Sequence, residues 1–106
     1  MEALFQPRVQ EYIVSTGLRE SPVAQALREY TLTHVDQSQM LSHPEQMQFV
    51  AWILRLMKAE RVIEVGVYTG YGTLVIAEAL PLYGRVIACD KNDRWPNQGK
   101  PYWQQA

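Results

Sequence analysis

A single cysteine, Cys89, leaves no partner for an internal disulfide and suits a reducing compartment. No apolar run approaches membrane-spanning length, and the N-terminus lacks the basic-then-apolar order of a secretion signal. Neither charge sign dominates: basic and acidic residues are interspersed and the formal net charge is −1. That removes the electrostatic argument for nucleic acid or an anionic membrane as a partner. Internal repeats and low-complexity tracts are missing too. These absences point to a soluble, cytoplasmic protein. A length of 106 residues permits one small domain, and a hydrophobic content of 47% supplies a core and excludes wholesale disorder. A chain this short buries a limited share of its surface, so modest stability is expected.

What is present centres on Arg61 to Asp90, which has the pattern strand, glycine-rich turn, helix, tight turn, strand. Arg61 to Val67 is β-branched and apolar on both pleat faces, interrupted by Glu64, which suits a parallel strand covered by helices on both sides. Gly66, Gly70 and Gly72 let the backbone turn sharply and approach a ligand. A helix over Thr73 to Leu80 follows, with its free N–H groups pointing into the turn. Pro81 to Gly84 punctuates, and Arg85 to Cys89 is a second apolar strand that ends on Asp90. This is a minimal nucleotide-binding βαβ unit.

Upstream, Pro7 to Gly17 and a segment opened by Ser21-Pro22 have helical signals, the second with Val23, Leu27 and Tyr30 at helical spacing. Asp36 to Leu41 has no periodicity and is expected as a loop. Ser42-x-x-Glu45 matches a reciprocal capping box, and Phe49, Val50, Ile53, Leu54 and Met57 form the apolar stripe of the helix it would open. From Lys91 the chain turns polar, with loop expected until a helix start at Pro101.

The glycine order is G-x-x-x-G-x-G and departs from the dinucleotide fingerprint G-x-G-x-x-G. Asp90, at the end of the second strand, has the chemistry to accept hydrogen bonds from both hydroxyls of a ribose, or it is an ordinary solvated strand-end aspartate. Glu64 is costly to bury without partners, so a position facing the crevice or bonding turn N–H groups is favoured over one facing water. His34 and His43 lie far from any ligand cluster, and Asp93 and Glu78 make no metal constellation. Cys89 is expected as an inert core thiol, and Trp95 and Trp103 either flank a ligand or are partly buried by the tail.

The stretches IEVGVYTGYGTL and ALPLYGRVIACDKN resemble the class I S-adenosylmethionine-dependent O-methyltransferases of the caffeoyl-CoA and catechol type. The likeness extends upstream over Met40, Ser42, Glu45-Gln46 and Gln48-Phe49, and downstream over Tyr102 to Ala106. It implies an α/β fold, the N-terminal half of a Rossmann-like methyltransferase, with helices followed by a βαβ unit of parallel strands. It further implies that Glu64, Gly66 and Val67 line the methionine part of S-adenosyl-L-methionine and that Asp90 holds the ribose. Met40 and Ser42 would close over the cofactor, with Tyr68 beside it. Gly72 stands where the family usually has serine, which removes one side-chain contact to the cofactor's carboxylate end. The family's divalent cation, Mg or Ca, and a small phenolic substrate are implied for the whole enzyme, with the metal ligands absent from this chain.

The expected organisation is one incomplete domain: N-terminal helices and loop over 1–41, the cofactor-binding helix and βαβ core over 42–90, and loop plus helix start over 91–106. Two strands make a meagre parallel sheet with an open edge, available for pairing with a second copy. A truncated or split methyltransferase, inactive alone, is the expectation; a non-catalytic cofactor-binding or oligomerising remnant is the alternative.

Overall fold

The computed structural model describes residues 6–106. Helix α1 spans Pro7–Gly17 and α2 spans Pro22–His34, each with proline in its first turn. The Ser21 hydroxyl caps α2 by accepting the Ala24 N–H at 3.2 Å. A short 3₁₀ turn, Ser38–Met40, lies in the segment expected as loop.

Helix α3, Pro44–Met57, starts differently from the expected capping box. His43 is the N-cap and makes no side-chain cap bond, because Pro44 has the backbone preset for the first helical position. Glu45 therefore sits too early to complete the box, and its carboxylate accepts from Gln10 Nε2 of α1 at 2.8 Å. The buried face of α3 also differs. Met47 and Ala51 are buried with Val50 and Leu54 packed beside them, while Phe49 and Met57 are exposed. Lys58 closes the helix in the left-handed region (φ 55°), with Ala59 N–H bonded back to Leu54 O.

Strand β1, Arg61–Val65, pairs in parallel with β2, Arg85–Cys89, in the register Arg61↔Arg85 to Val65↔Cys89. β1 ends two residues before Val67 because Gly66 (φ 92°) leaves the extended conformation. Helix α4, Tyr71–Ala79, connects the strands and begins directly after Gly70 (φ 87°), two residues earlier than expected. The pair of strands is covered on one face among the described residues. Val62 and Val86 pack on the core, whereas Ile63, Val65, Ile87 and Cys89 are exposed on the other face. The sequence pattern pointed to cover on both faces and a buried Cys89; no described element lies over that outer face, so the thiol is exposed.

The core joins Ala24 and Leu27 of α2, Met47 of α3, and Tyr71, Leu74 and Ile76 of α4. Tyr71 is buried, and its hydroxyl donates to Glu20, which Arg28 grips through two nitrogens at 2.7 and 2.8 Å. Burial first, and then Glu20, hold the Tyr71 phenol far above its ordinary pKa, so it stays a donor.

Helix α5, Arg94–Gln105, begins seven residues before the expected start at Pro101, which lies inside it. The proline's missing N–H falls on the exposed side of the helix, since Asn97 and Pro101 are both exposed residues. Gly99 makes this helix possible. A Cβ there would lie 1.7 Å from the Thr69 carbonyl oxygen, so α5 touches the glycine turn backbone to backbone.

Gly99→Ala is expected to lose at least ~3 kcal/mol of stability, since the backbone must move to admit the methyl group. Gly17→Ala, with nothing within 4 Å of the new methyl, is expected to be neutral or stabilising by up to ~1 kcal/mol. Urea unfolding midpoints check both, and a neutral Gly99→Ala would refute the close contact.

Candidate functional site

The turn between β1 and α4 holds three left-handed residues in five: Gly66, Tyr68 (φ 52°) and Gly70. Glycine adopts this region freely, but for Tyr68 it costs roughly 1–2 kcal/mol. Several contacts hold Tyr68 there. Its N–H and that of Val67 donate to Asp90 Oδ2, at 3.1 and 2.9 Å. Its hydroxyl donates to the Asp36 carbonyl, and the edge of its ring meets Trp95 at a centroid distance of 5.2 Å. Burial, with the Asp36 carboxylate nearby, pushes the Tyr68 phenol up, so it remains a donor at neutral pH.

The rest of the turn is anchored just as closely. Thr69 and Thr31 are wholly buried and share a hydrogen bond of 2.8 Å. The Thr31 hydroxyl donates onward to Leu27 O, so Thr69 is the donor of that pair. Trp103 Nε1 donates to Gly70 O at 3.0 Å, and a Cβ on Gly70 would collide with the same indole. Thr31, Thr69 and Gly99 were not singled out as site residues from the sequence, and Trp103, read there as flanking a ligand or partly buried, is half-buried against the turn. Only a glycine and a tryptophan four residues apart in the tail hinted that one face of that segment packs closely.

Asp90 is exposed, and its carboxyl is held below the usual range by the Val67, Asn92 and Tyr68 N–H groups, in that order. Both lone pairs of Oδ2 are taken by turn N–H groups, and Oδ1 accepts Asn92 N–H at 3.2 Å. The Lys91 N–H is a further, weaker donor to the carboxylate, which remains exposed to a ligand. Beside it, an added Cβ on exposed Gly66 would meet nothing within 4 Å, so the groove is open at that point. An anionic acceptor next to open backbone and the N-terminal N–H groups of α4 suits a ligand bearing hydroxyls at one end and a carboxylate at the other. The cleft of about 100 Å³ lined by Glu20, Arg55, Tyr71 and Glu78 is separate and contains none of these groups.

Glu64 is half-buried on the inner face of β1 and accepts the Thr73 hydroxyl. Burial raises its pKa, partly opposed by the Thr73 bond. Gly72 leaves it room: a Cβ there would stand 3.0 Å from Glu64 Oε2. Met40 is 45% exposed at the end of the 3₁₀ turn, and Ser42 is half-buried just beyond. Among the described residues no hydrogen bond joins either to the glycine turn. The structure thus gathers Val67, Tyr68 and Asp90 around Gly66, pairs Glu64 with Gly72 and Thr73, and leaves Met40 and Ser42 on the neighbouring segment. No three His, Cys, Asp or Glu side chains converge to hold a metal among the described residues. His34 stacks on Tyr30, and His43 lies against Gln10 and Glu45.

A family model described as O-methyltransferase matches residues 14–106. The chain belongs to that family. It is 38% identical over 96 residues to catechol O-methyltransferase domain-containing protein 1 of Mus musculus, covering 91% of this chain and 36% of that protein. It is 46% identical over 59 residues to a caffeoyl-CoA O-methyltransferase of Populus kitakamiensis, covering 56% of this chain and 25% of the relative. Among solved structures, the S-adenosylhomocysteine-bound methyltransferase PaMTH1 of Podospora anserina superimposes with a TM-score of 0.85 at 17% identity, over 99% of this chain and 47% of its own. The O-methyltransferase TomG of Streptomyces achromogenes, in complex with SAM, gives 0.82 at 20%, over 92% and 44%. The α/β architecture is theirs, and this chain spans less than half the length of each of these relatives.

Glu64 supplies a test of the groove's interior. Its raised pKa means that its favourable contribution is complete below the unfolded-state value and is lost as pH rises through the folded value. Glu64→Gln keeps an acceptor for Thr73 and carries no charge. The variant is expected to melt higher than wild type by ~2 °C at pH 8, a small shift because the side chain is only half-buried, and the gap should close by pH 4. Thermal melts across that range decide it; a variant that melts lower at pH 8 would show that Glu64 works as a stabilised anion.

Proposed function

We propose that the groove at Gly66 binds S-adenosyl-L-methionine and that the chain serves methyl transfer to a hydroxyl of a small phenolic molecule. The observation that carries this reading is the turn Gly66–Gly70, open at Gly66 and held by an ionised Asp90 whose carboxylate is exposed beside it. Asp90 would accept from the ribose. Glu64, Gly66, Val67 and Gly72 would line the methionine part, with Tyr68 beside it and Met40 and Ser42 closing over it. Relatives named for catechol and caffeoyl-CoA substrates, and neighbours bound to SAM or S-adenosylhomocysteine, support the substrate class and the cofactor.

The divalent cation implied by the resemblance finds no ligand cluster among the described residues, so no step is routed through it here. The role we assign to these 106 residues is to hold the cofactor, as one unit made of 1–41, 42–90 and 91–106, without turnover on their own. A second reading, a module that pairs with another copy, is favoured by the exposed apolar face of Ile63, Val65 and Ile87.

Calorimetric titration of the purified chain with S-adenosylhomocysteine is expected to give binding that Asp90→Ala weakens at least ~10-fold, the scale of a charge-assisted bond plus a loosened turn. Equal binding by the two proteins would place the ligand elsewhere. Metal-dependent methylation of a catechol by the chain alone would overturn the role without turnover. Stable dimers by sedimentation with no ligand binding would favour the second reading.

A further inference from the structure

Asp36 lies on the connection between α2 and α3, where the sequence shows no periodicity and no motif. It nevertheless takes hydrogen bonds from two other parts of the fold. Its backbone carbonyl accepts the Tyr68 hydroxyl at 2.5 Å. Its carboxylate Oδ1 accepts Trp95 Nε1 at 3.3 Å and lies 3.5 Å from Arg94 Nη2, both in the first turn of α5. Trp95 in turn meets the edge of the Tyr68 ring, so the three residues close a loop of contacts. The segment leaves this point through Gln37, another left-handed non-glycine residue (φ 63°), and runs on to Met40 and Ser42.

We propose that Asp36 is a positioning residue that clasps the α2–α3 connection to both the glycine turn and α5. The clasp has two consequences. It supports Tyr68 in its unfavourable backbone conformation from the side opposite Asp90. It also fixes the leading end of the segment that carries Met40 and Ser42, so that these residues are held close to the groove before a ligand arrives. The Arg94 contact contributes little, since both side chains are mostly exposed and the pair is long. The indole N–H is the contact that matters, because it has a fixed direction and its ring is packed on Tyr68. The inference rests on the groove being the cofactor site, and only its effect on binding depends on that reading.

The test compares Asp36→Ala, Asp36→Asn, Trp95→Phe and the Asp36→Ala/Trp95→Phe double variant for S-adenosylhomocysteine affinity and dissociation rate. Asp90→Ala serves as the control for the site. Each of Asp36→Ala and Trp95→Phe is expected to weaken binding roughly 3–10-fold, mainly through faster release, as the loss of one directed hydrogen bond does. The double variant should be no worse than either single one, because both remove the same bond. Asp36→Asn keeps an acceptor for the indole and should bind within ~2-fold of wild type, the factor by which an exposed charge pair alone matters. Hydrogen exchange of the free chain gives a readout that needs no ligand: Asp36→Ala should speed exchange in residues 36–42 and 66–70 while the rest of the chain is unchanged. If Asp36→Ala binds like wild type while Asp90→Ala does not, the clasp is wrong and the groove stands. If no protein binds, the cofactor reading fails, and unchanged exchange in Asp36→Ala overturns the clasp as well.

Discussion

The Asp90 carboxylate, bonded to the Val67 and Tyr68 N–H groups, is the interaction on which the rest of this structure depends. It joins the end of β2 to the residues that follow β1, and so fixes where the two strands stop and where the turn begins. Three left-handed residues in five make a tight bend in which the Gly66 and Gly70 N–H groups find backbone carbonyls, while those of Val67 and Tyr68, unbonded, would be orphan donors. One ionised side chain satisfies both. The remaining anchors serve the same bend: Thr69 on Thr31 from α2, Trp103 on Gly70 from α5, and the Gly99 backbone against Thr69 O. Helices α2 and α5 thus both reach the turn through polar contacts, and α5 adds a missing side chain at Gly99 and the ring of Trp95 on Tyr68.

That division explains what the sequence disclosed. The strands, the bend and α2 were legible because each rests on local chemistry: β-branched runs, glycines that reach positive φ, and a Ser-Pro helix start. The start of α3 was misjudged by one residue, since Pro44 outweighs a Ser42-x-x-Glu45 pattern whose Glu45 is drawn to Gln10, a partner 35 residues away. The inner face of α3 was misplaced for a related reason. Phe49 and Met57 fit the apolar spacing, yet Met47 and Ala51 are the ones buried, with Val50 and Leu54 packed beside them. Helix α5 was hidden because its composition is polar and carries Pro101; its place is set by a glycine contact that no propensity encodes. Cys89 read as buried because its neighbours are apolar, but apolar pattern alone cannot say whether a covering layer is at hand.

Two carboxylates flank the end of β1 in opposite environments. Glu64 lies inside, with burial raising its pKa and Thr73 as its hydrogen-bond partner. Asp90 lies at the lip, where backbone donors hold its pKa down. The firm negative charge of the groove is thus at Asp90, and Glu64 keeps its charge with less margin. Gly72 belongs to the same balance. A serine there would bring a Cβ to 3.0 Å from Glu64 Oε2 and a second hydroxyl to a carboxylate that already has Thr73. Glycine at this position gives Glu64 space, at the expense, on the proposed reading, of a hydroxyl for the ligand.

On the proposed reading, Asp90 carries two duties that compete for the same lone pairs. Oδ2 is filled by the turn, Oδ1 accepts from Asn92, and the Lys91 N–H is a further donor. On that reading, a ribose presenting two hydroxyls competes with these backbone donors, and reaches Oδ2 only where a turn N–H lets go. Release of the Tyr68 N–H would remove a support from a residue already in an unfavourable conformation. What then remains to hold Tyr68 is its hydroxyl on the Asp36 carbonyl and its ring against Trp95. The far side of the turn must therefore be tied down if Asp90 is to exchange a backbone partner for a ligand. That requirement links the clasp at Asp36 to the carboxylate across the groove, although the two residues share no contact of their own.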